Sequence, residues 1–158
     1  MRVAALLLIP LLAGCTYGAP AAGAGSGAPA GGTTTTAATT TIDVSLTAAT
    51  TTATPYGNAG GFAPVVTNVA LGSMVRFVNV DSFAHTASSL NGTSFPASSP
   101  LGASALNVAG ATLSGGWTSG TLGAGTGSQT LLADKAGTYL YGCFFHYGSP
   151  MRGAIVVK

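Results

Sequence analysis

An all-β domain, a sandwich or barrel of about seven or eight short strands in two sheets, is what this sequence predicts from Ile42 to Lys158. Three observations carry the prediction. Short runs of β-forming residues recur along the chain, separated by Gly, Pro, Asn and Ser. No stretch shows an apolar period of 3.6 residues. The chain also holds 24 glycines, and glycine disfavours a helix interior by about 1 kcal/mol relative to alanine. A length of 158 residues allows one domain with a real core.

The predicted domain does not begin at residue 1. Met1-Arg2 is basic, and Val3 to Leu12 is an apolar stretch too short to span a bilayer as a mature helix. It runs into Leu12-Ala13-Gly14-Cys15, which resembles the bacterial lipoprotein signal. That resemblance implies cleavage after residue 14, a lipid on Cys15, and a chain anchored to a membrane rather than spanning it. Thr16 follows the cysteine with no acidic retention residue, which in a two-membrane bacterium points to the outer membrane. Residues 16–41 contain eight Ala, eight Thr and six Gly and no periodic apolar face. Residues 15–41 therefore read as the lipidated Cys and a linker that no core can order. As a flexible coil the linker spans roughly 28 Å r.m.s., and no more than about 90 Å stretched.

Within 42–158 the elements follow in order. Ile42-Asp43-Val44-Ser45-Leu46 alternates apolar and polar residues and is the first strand. Val65 to Ala70 is the second, and Leu71-Gly72-Ser73 is a turn. Met74 to Val80 is the third, closed by Asp81. The stretch from Asn91 to Gly116 is rich in Ser, Gly, Ala and Pro and reads as a long loop or insertion. Asn91-Gly92-Thr93 matches a glycosylation sequon, but Asn-Gly is first of all a turn signal. Asp134 to Gly137 is a further turn, and Gly137 to Cys143 and Gly153 to Val157 are the closing strands.

Composition excludes several functions. Charged residues are 5% of the chain and the formal net charge is +2. Glutamate is absent, and the acids are Asp43, Asp81 and Asp134. Five scattered Lys and Arg residues make no basic stripe for nucleic acid. With only His85 and His146, a multicopper or multi-zinc centre lacks ligands.

The chemistry is concentrated near the C-terminus. Cys143-Phe144-Phe145-His146-Tyr147-Gly148-Ser149-Pro150-Met151 places a thiol, an imidazole and a thioether within nine residues. This soft, mixed set suits copper better than magnesium or calcium. Two His, one Cys and a weak axial Met form the ligand set of an electron-transfer copper site. The second imidazole must be His85, the other histidine in the chain. Strand alternation puts Tyr139, Tyr141 and Cys143 on one face, so tyrosines in the core bring the sulfur with them. Met151 alone reads equally as core filler, and a lone Cys is most often buried packing. With Cys15 lipidated, however, Cys143 has no disulfide partner, and metal ligation gives an exported free thiol a reason to exist.

The spacing Cys-x-x-His-x-x-x-x-Met of Cys143, His146 and Met151 is similar to that of the cupredoxin family, in particular plastocyanin and pseudoazurin. Gly137 to Cys143 resembles its Gly-x-Tyr-x-Tyr-x-Cys strand, and Gly153 to Val156 its closing strand. Phe62-Ala63-Pro64, Gly72 to Val75 and Asn79-x-Asp81-x-x-x-His85 resemble its earlier features. The likeness covers 42–158 and is weakest from Asn91 to Gly116. It implies a Greek-key β-sandwich holding one copper ion through His85, Cys143, His146 and Met151. It further implies an electron port at His146 within an apolar patch of Phe83, Ala84, Tyr147, Gly148 and Pro150. Many plastocyanins follow the first His with an Asn that ties the ligand loops together. Here Thr86 follows, so the tie is either weaker or made by the hydroxyl, and backbone N–H groups near Thr86 are candidate donors to the Cys sulfur. No acidic docking patch can exist on this chain.

The function implied is a membrane-tethered, monomeric, non-enzymatic carrier of single electrons, exported to the cell envelope. It would dock redox partners weakly through apolar contacts. The alternatives are a copper protein that buffers or delivers the metal, and a metal-free interaction module. Oxygen chemistry in this family needs extra copper centres and more histidines than the chain supplies.

Overall fold

The computed structural model describes residues 37–158. Twelve strands occur among the described residues, ten of them in two sheets. The first sheet has the order β10-β6-β1-β4: β10 is Leu131–Leu132, β6 Met74–Asn79, β1 Thr39–Val44 and β4 Phe62–Ala63. The second has the order β5-β12-β11-β7-β9-β8: β5 is Val66–Val69, β12 Arg152–Val157, β11 Gly137–Gly142, β7 Ser88–Leu90, β9 Thr118–Ser119 and β8 Val108–Ala109. A hairpin of β2 (Thr52–Thr54) and β3 (Gly57–Ala59) stands apart. Successive strands cross between the sheets from β4 to β5, β6 and β7. This is the predicted all-β fold, with more and shorter strands than predicted, because backbone pairing adds several segments of two or three residues.

The long strands form where β-branched and aromatic residues alternate. β6 buries Val75, Phe77 and Asn79 on one face, and β1 buries Ile42 and Val44. β1 runs parallel to β6 with Thr39 opposite Met74 and Val44 opposite Asn79. The sheet therefore begins at Thr39, three residues earlier than the predicted linker allows. Thr39, Thr40 and Thr41 resemble linker in composition, but they are β-branched and find a partner strand.

The core lies between the sheets. Phe62, Phe77, Trp117 and Tyr141 form its aromatic centre, with Phe77 stacked on Trp117 at 5.1 Å and Tyr141 edge-on to Phe62 at 4.8 Å. The Tyr141 hydroxyl has no partner, and burial pushes its pKa up, so the ring acts as apolar filling. The stretch Asn91–Gly116 is mainly loop, with one short 3-10 helix at Ala103–Leu106 and the strand β8. It is anchored by the buried side chains of Ala105 and Leu113.

Candidate metal centre

Two segments meet at one end of the sandwich. The first runs from β6 through Val80 to β7 and carries His85. Asn79 ends β6 with a buried side chain that organises this loop. Its Nδ2 donates to the carbonyls of Phe83 (2.8 Å) and Leu122 (2.9 Å), and its Oδ1 accepts from Asp81 N–H (3.0 Å). His85 then exchanges two backbone hydrogen bonds with Leu122, at 3.1 and 2.8 Å. Its side chain is fully buried.

The second segment is the turn between β11 and β12. Cys143 follows β11 and is fully buried; it is the free cysteine among the described residues. Its N–H donates to the Met151 carbonyl (3.0 Å), which closes the loop. Inside it, the His146 carbonyl accepts from Ser149 N–H (2.9 Å) and Met151 N–H (3.2 Å). His146 is half-buried and Met151 fully buried. Gly61, with φ +71°, lies against Met151, and a Cβ there would run into the Met151 Cγ.

The segments bring three donors together. Cys143 Sγ lies 3.9 Å from His85 Nδ1 and 3.7 Å from His146 Nδ1. All three ligand atoms fall within 4.8 Å of one another. A first-row metal about 2.3 Å from sulfur and about 2.05 Å from an imidazole nitrogen sets the two donors roughly 3.6–3.8 Å apart at tetrahedral to trigonal angles. The 3.7 Å spacing falls within this range and the 3.9 Å spacing just above it, so the group is positioned to hold a metal ion.

Neighbouring groups fix the donors. Thr86 N–H donates to Cys143 Sγ at 3.4 Å, and the Thr86 hydroxyl accepts from Phe144 N–H at 2.8 Å, joining the two loops. His85 Nε2 contacts Asp81 Oδ2 at 2.8 Å. Burial opposes ionisation of Asp81, but hydrogen bonds from Thr47, Ser45, His85 and Leu46 N–H outweigh it and hold the carboxyl well below the usual carboxylate range. Partial burial, and then the neighbouring His85, lower the pKa of His146 against a smaller opposing pull from Asp81. That favours the neutral ring, the form that ligates.

Around His146, Phe83 is 38% and Phe145 45% exposed, and Ala84 and Gly148 are exposed with Pro150 half-buried. The Phe83 ring lies 4.8 Å from that of His85 and 5.6 Å from that of His146. Tyr147 corrects the expected patch, because it is buried. Its hydroxyl donates to the Pro96 carbonyl (3.0 Å) and its ring packs under the Arg152 guanidinium at 4.1 Å. Phe145 takes the exposed place, an apolar residue beside a ligand that the sequence left without a role. Asp81 was likewise left without one; its signal was the i, i+4 spacing to His85. Cys15 lies outside the described residues.

No protein-family model matches the sequence, and no curated protein matches it. Solved structures do resemble this chain. A purple cupredoxin from Nitrosopumilus maritimus has 18% identity over 75% of this chain and 98% of its own, with a TM-score of 0.45. A Cu(I) form of an amicyanin variant has 18% identity over 60% of this chain and 70% of its own, with a TM-score of 0.39. A copper-containing nitrite reductase from Thermus scotoductus SA-01 has 24% identity over 61% of this chain and 20% of its own, with a TM-score of 0.43. These are likenesses of a cupredoxin-like fold; the chemistry rests on the residues of this chain.

Proposed function

We propose that this chain is a type I copper protein that carries single electrons. The observation that carries the reading is the buried free thiol of Cys143 converging with two imidazoles at ligand spacing. A soft thiolate with two imidazoles suits copper as well as zinc, and the fully buried Met151 would add a weak thioether donor that favours copper. Copper, when bound, supplies the one-electron couple.

The protein's part is to hold donors still. Cys143 offers the strongest bond and the path into β11. His85 is fixed from the backbone and from its far nitrogen. Thr86 N–H, aimed at the sulfur, stabilises negative charge there. His146, half-buried with the rings of Phe83 and Phe145 beside it, is the port for electrons, and Ala84, Gly148 and Pro150 would complete the apolar face. With 5% charged residues, docking through this face depends weakly on salt. A small apolar contact suits rapid exchange with redox partners. Lipid on Cys15 and the following linker would tether a monomeric domain at the cell envelope. Among the described residues no helix is long and apolar enough to cross a membrane.

The test is the visible spectrum of the Cu(II)-loaded protein with and without Cys143→Ser. An intense thiolate-to-copper band that vanishes in the variant is expected. Weak binding indifferent to Cys143 would sink the reading. Voltammetry then separates a carrier, which cycles reversibly and keeps both copper states, from a protein that releases copper to an acceptor.

A further inference from the structure

We infer that Asp81 is a positioning residue that locks His85 in its ligating form and biases the centre towards Cu(II). The second half of this inference rests on the copper reading. Asp81 is 7% exposed and has four hydrogen-bond partners. Oδ1 takes the hydroxyls of Ser45 (2.8 Å) and Thr47 (2.6 Å); Oδ2 takes Leu46 N–H (2.7 Å) and His85 Nε2 (2.8 Å). The three donors from Ser45, Thr47 and Leu46 N–H, whose direction does not depend on the histidine, hold the group as a carboxylate. It accepts at Nε2, so the proton of a neutral His85 sits there, and the lone pair is on Nδ1. Nδ1 is the atom that faces Cys143 Sγ at 3.9 Å. The tautomer needed for ligation is thus set before any metal arrives.

The charge count gives the direction of the bias. Cys143 thiolate and Asp81 carboxylate contribute two negative charges to a site whose donors His85 and Cys143 are both fully buried. With Cu(II) this group of charges sums to zero; with Cu(I) it is negative. Removing the Asp81 charge reverses the order, leaving Cu(II) with net positive charge and Cu(I) neutral. A buried environment favours the neutral sum. A carboxylate on the far nitrogen also raises the basicity of the imidazole, which strengthens its bond to the more highly charged metal.

The experiment joins two readouts. In the metal-free protein, 15N NMR of His85 should show an Nε2–H tautomer, and Asp81→Asn should lose that exclusive population. This arm needs no metal, so it separates the inference from the copper reading: a locked tautomer without a thiolate-to-copper band sinks the copper reading and leaves the positioning role standing. In the loaded protein, Asp81→Asn should weaken Cu(II) binding about 10–100-fold. Against a mediator of fixed potential, its Cu(II)/Cu(I) ratio should fall about tenfold, equivalent to about 59 mV for one electron. Asp81→Glu, which keeps the charge, should recover part of that shift, and Ser45→Ala, which leaves the contact with His85, should move it little. An Nδ1–H tautomer in the unsubstituted protein overturns the inference without any variant having to fold. So does a Cu(II)/Cu(I) ratio in Asp81→Asn within twofold of the original.

Discussion

The two loops of the candidate centre are built on opposite principles. The His85 loop is held by long-range bonds: Asn79 and His85 reach Leu122, and Asp81 reaches back to Ser45, Leu46 and Thr47 at the end of β1. The Cys143–Met151 loop is closed by bonds within itself, from Cys143 N–H to the Met151 carbonyl and onto the His146 carbonyl. The first buries its imidazole completely; the second leaves its imidazole half-exposed. One loop is therefore set by the scaffold, while the other adds its own closure to ties with Thr86 and Pro96. Rigidity and access, which the proposed electron transfer needs together, are divided between them.

The strongest break in this comparison comes from deleting each imidazole. His85→Gly leaves a hole walled from solvent, whereas His146→Gly opens one at the surface. Each variant should lose the thiolate-to-copper band of the loaded protein. Added imidazole should restore it in His146→Gly and fail to do so in His85→Gly. Equal rescue of both would show that the burial difference is not functional.

The next effect concerns how the Cys143–Met151 loop is packed. Gly61→Ala places a Cβ into the Met151 Cγ at a positive φ. Overpacking together with the unfavourable backbone conformation should destabilise the fold by about 2–4 kcal/mol. The loaded protein should change colour as Met151 is displaced. At Gly148 a Cβ meets nothing within 4 Å. Gly148→Ala should thus stay within about 0.5 kcal/mol in a denaturant titration.

A smaller effect tests the link between the loops. Thr86→Val keeps the shape but removes the acceptor for Phe144 N–H. An orphaned part-buried donor costs about 1–3 kcal/mol. Thr86→Ser should recover most of that stability. If Thr86→Val melts with the original protein, the two loops do not depend on this bond.

The same division explains what could be read in advance. The Cys143–Met151 loop is local, so its donors and their spacing were visible along the chain, as were the alternating strands β1, β6, β11 and β12. The network behind His85 joins Asp81 to residues 34 to 36 positions earlier, and no local pattern marks such a contact. The strands β7, β9 and β10 escaped for a related reason: Ser, Thr and Leu segments of two or three residues become strands only by finding partners. Trp117, beyond the Gly-rich stretch, was not placed in the core because its burial depends on stacking with Phe77. Tyr147 was misplaced because its loop position suggested exposure, while Arg152 and Pro96 draw it inward.

The smallest effect on stability should come at the rim of the exposed face, and there the functional effect should be separable from the structural one. Phe145 is 45% exposed and its ring lies 6.2 Å from that of His146. Phe145→Ala should change stability by no more than about 0.5 kcal/mol, as expected for a surface substitution. The visible band should be unaltered, since no donor is touched. If electrons pass through His146, two molecules exchanging an electron must bring these faces together, and the lost apolar contact is worth about 1 kcal/mol. The self-exchange rate, read from NMR line broadening in mixtures of the two redox states, should fall about fivefold. It should vary little with ionic strength, because few charges are available to steer the encounter. An unchanged rate would move the port away from the half-exposed loop and remove the functional reason for its exposure.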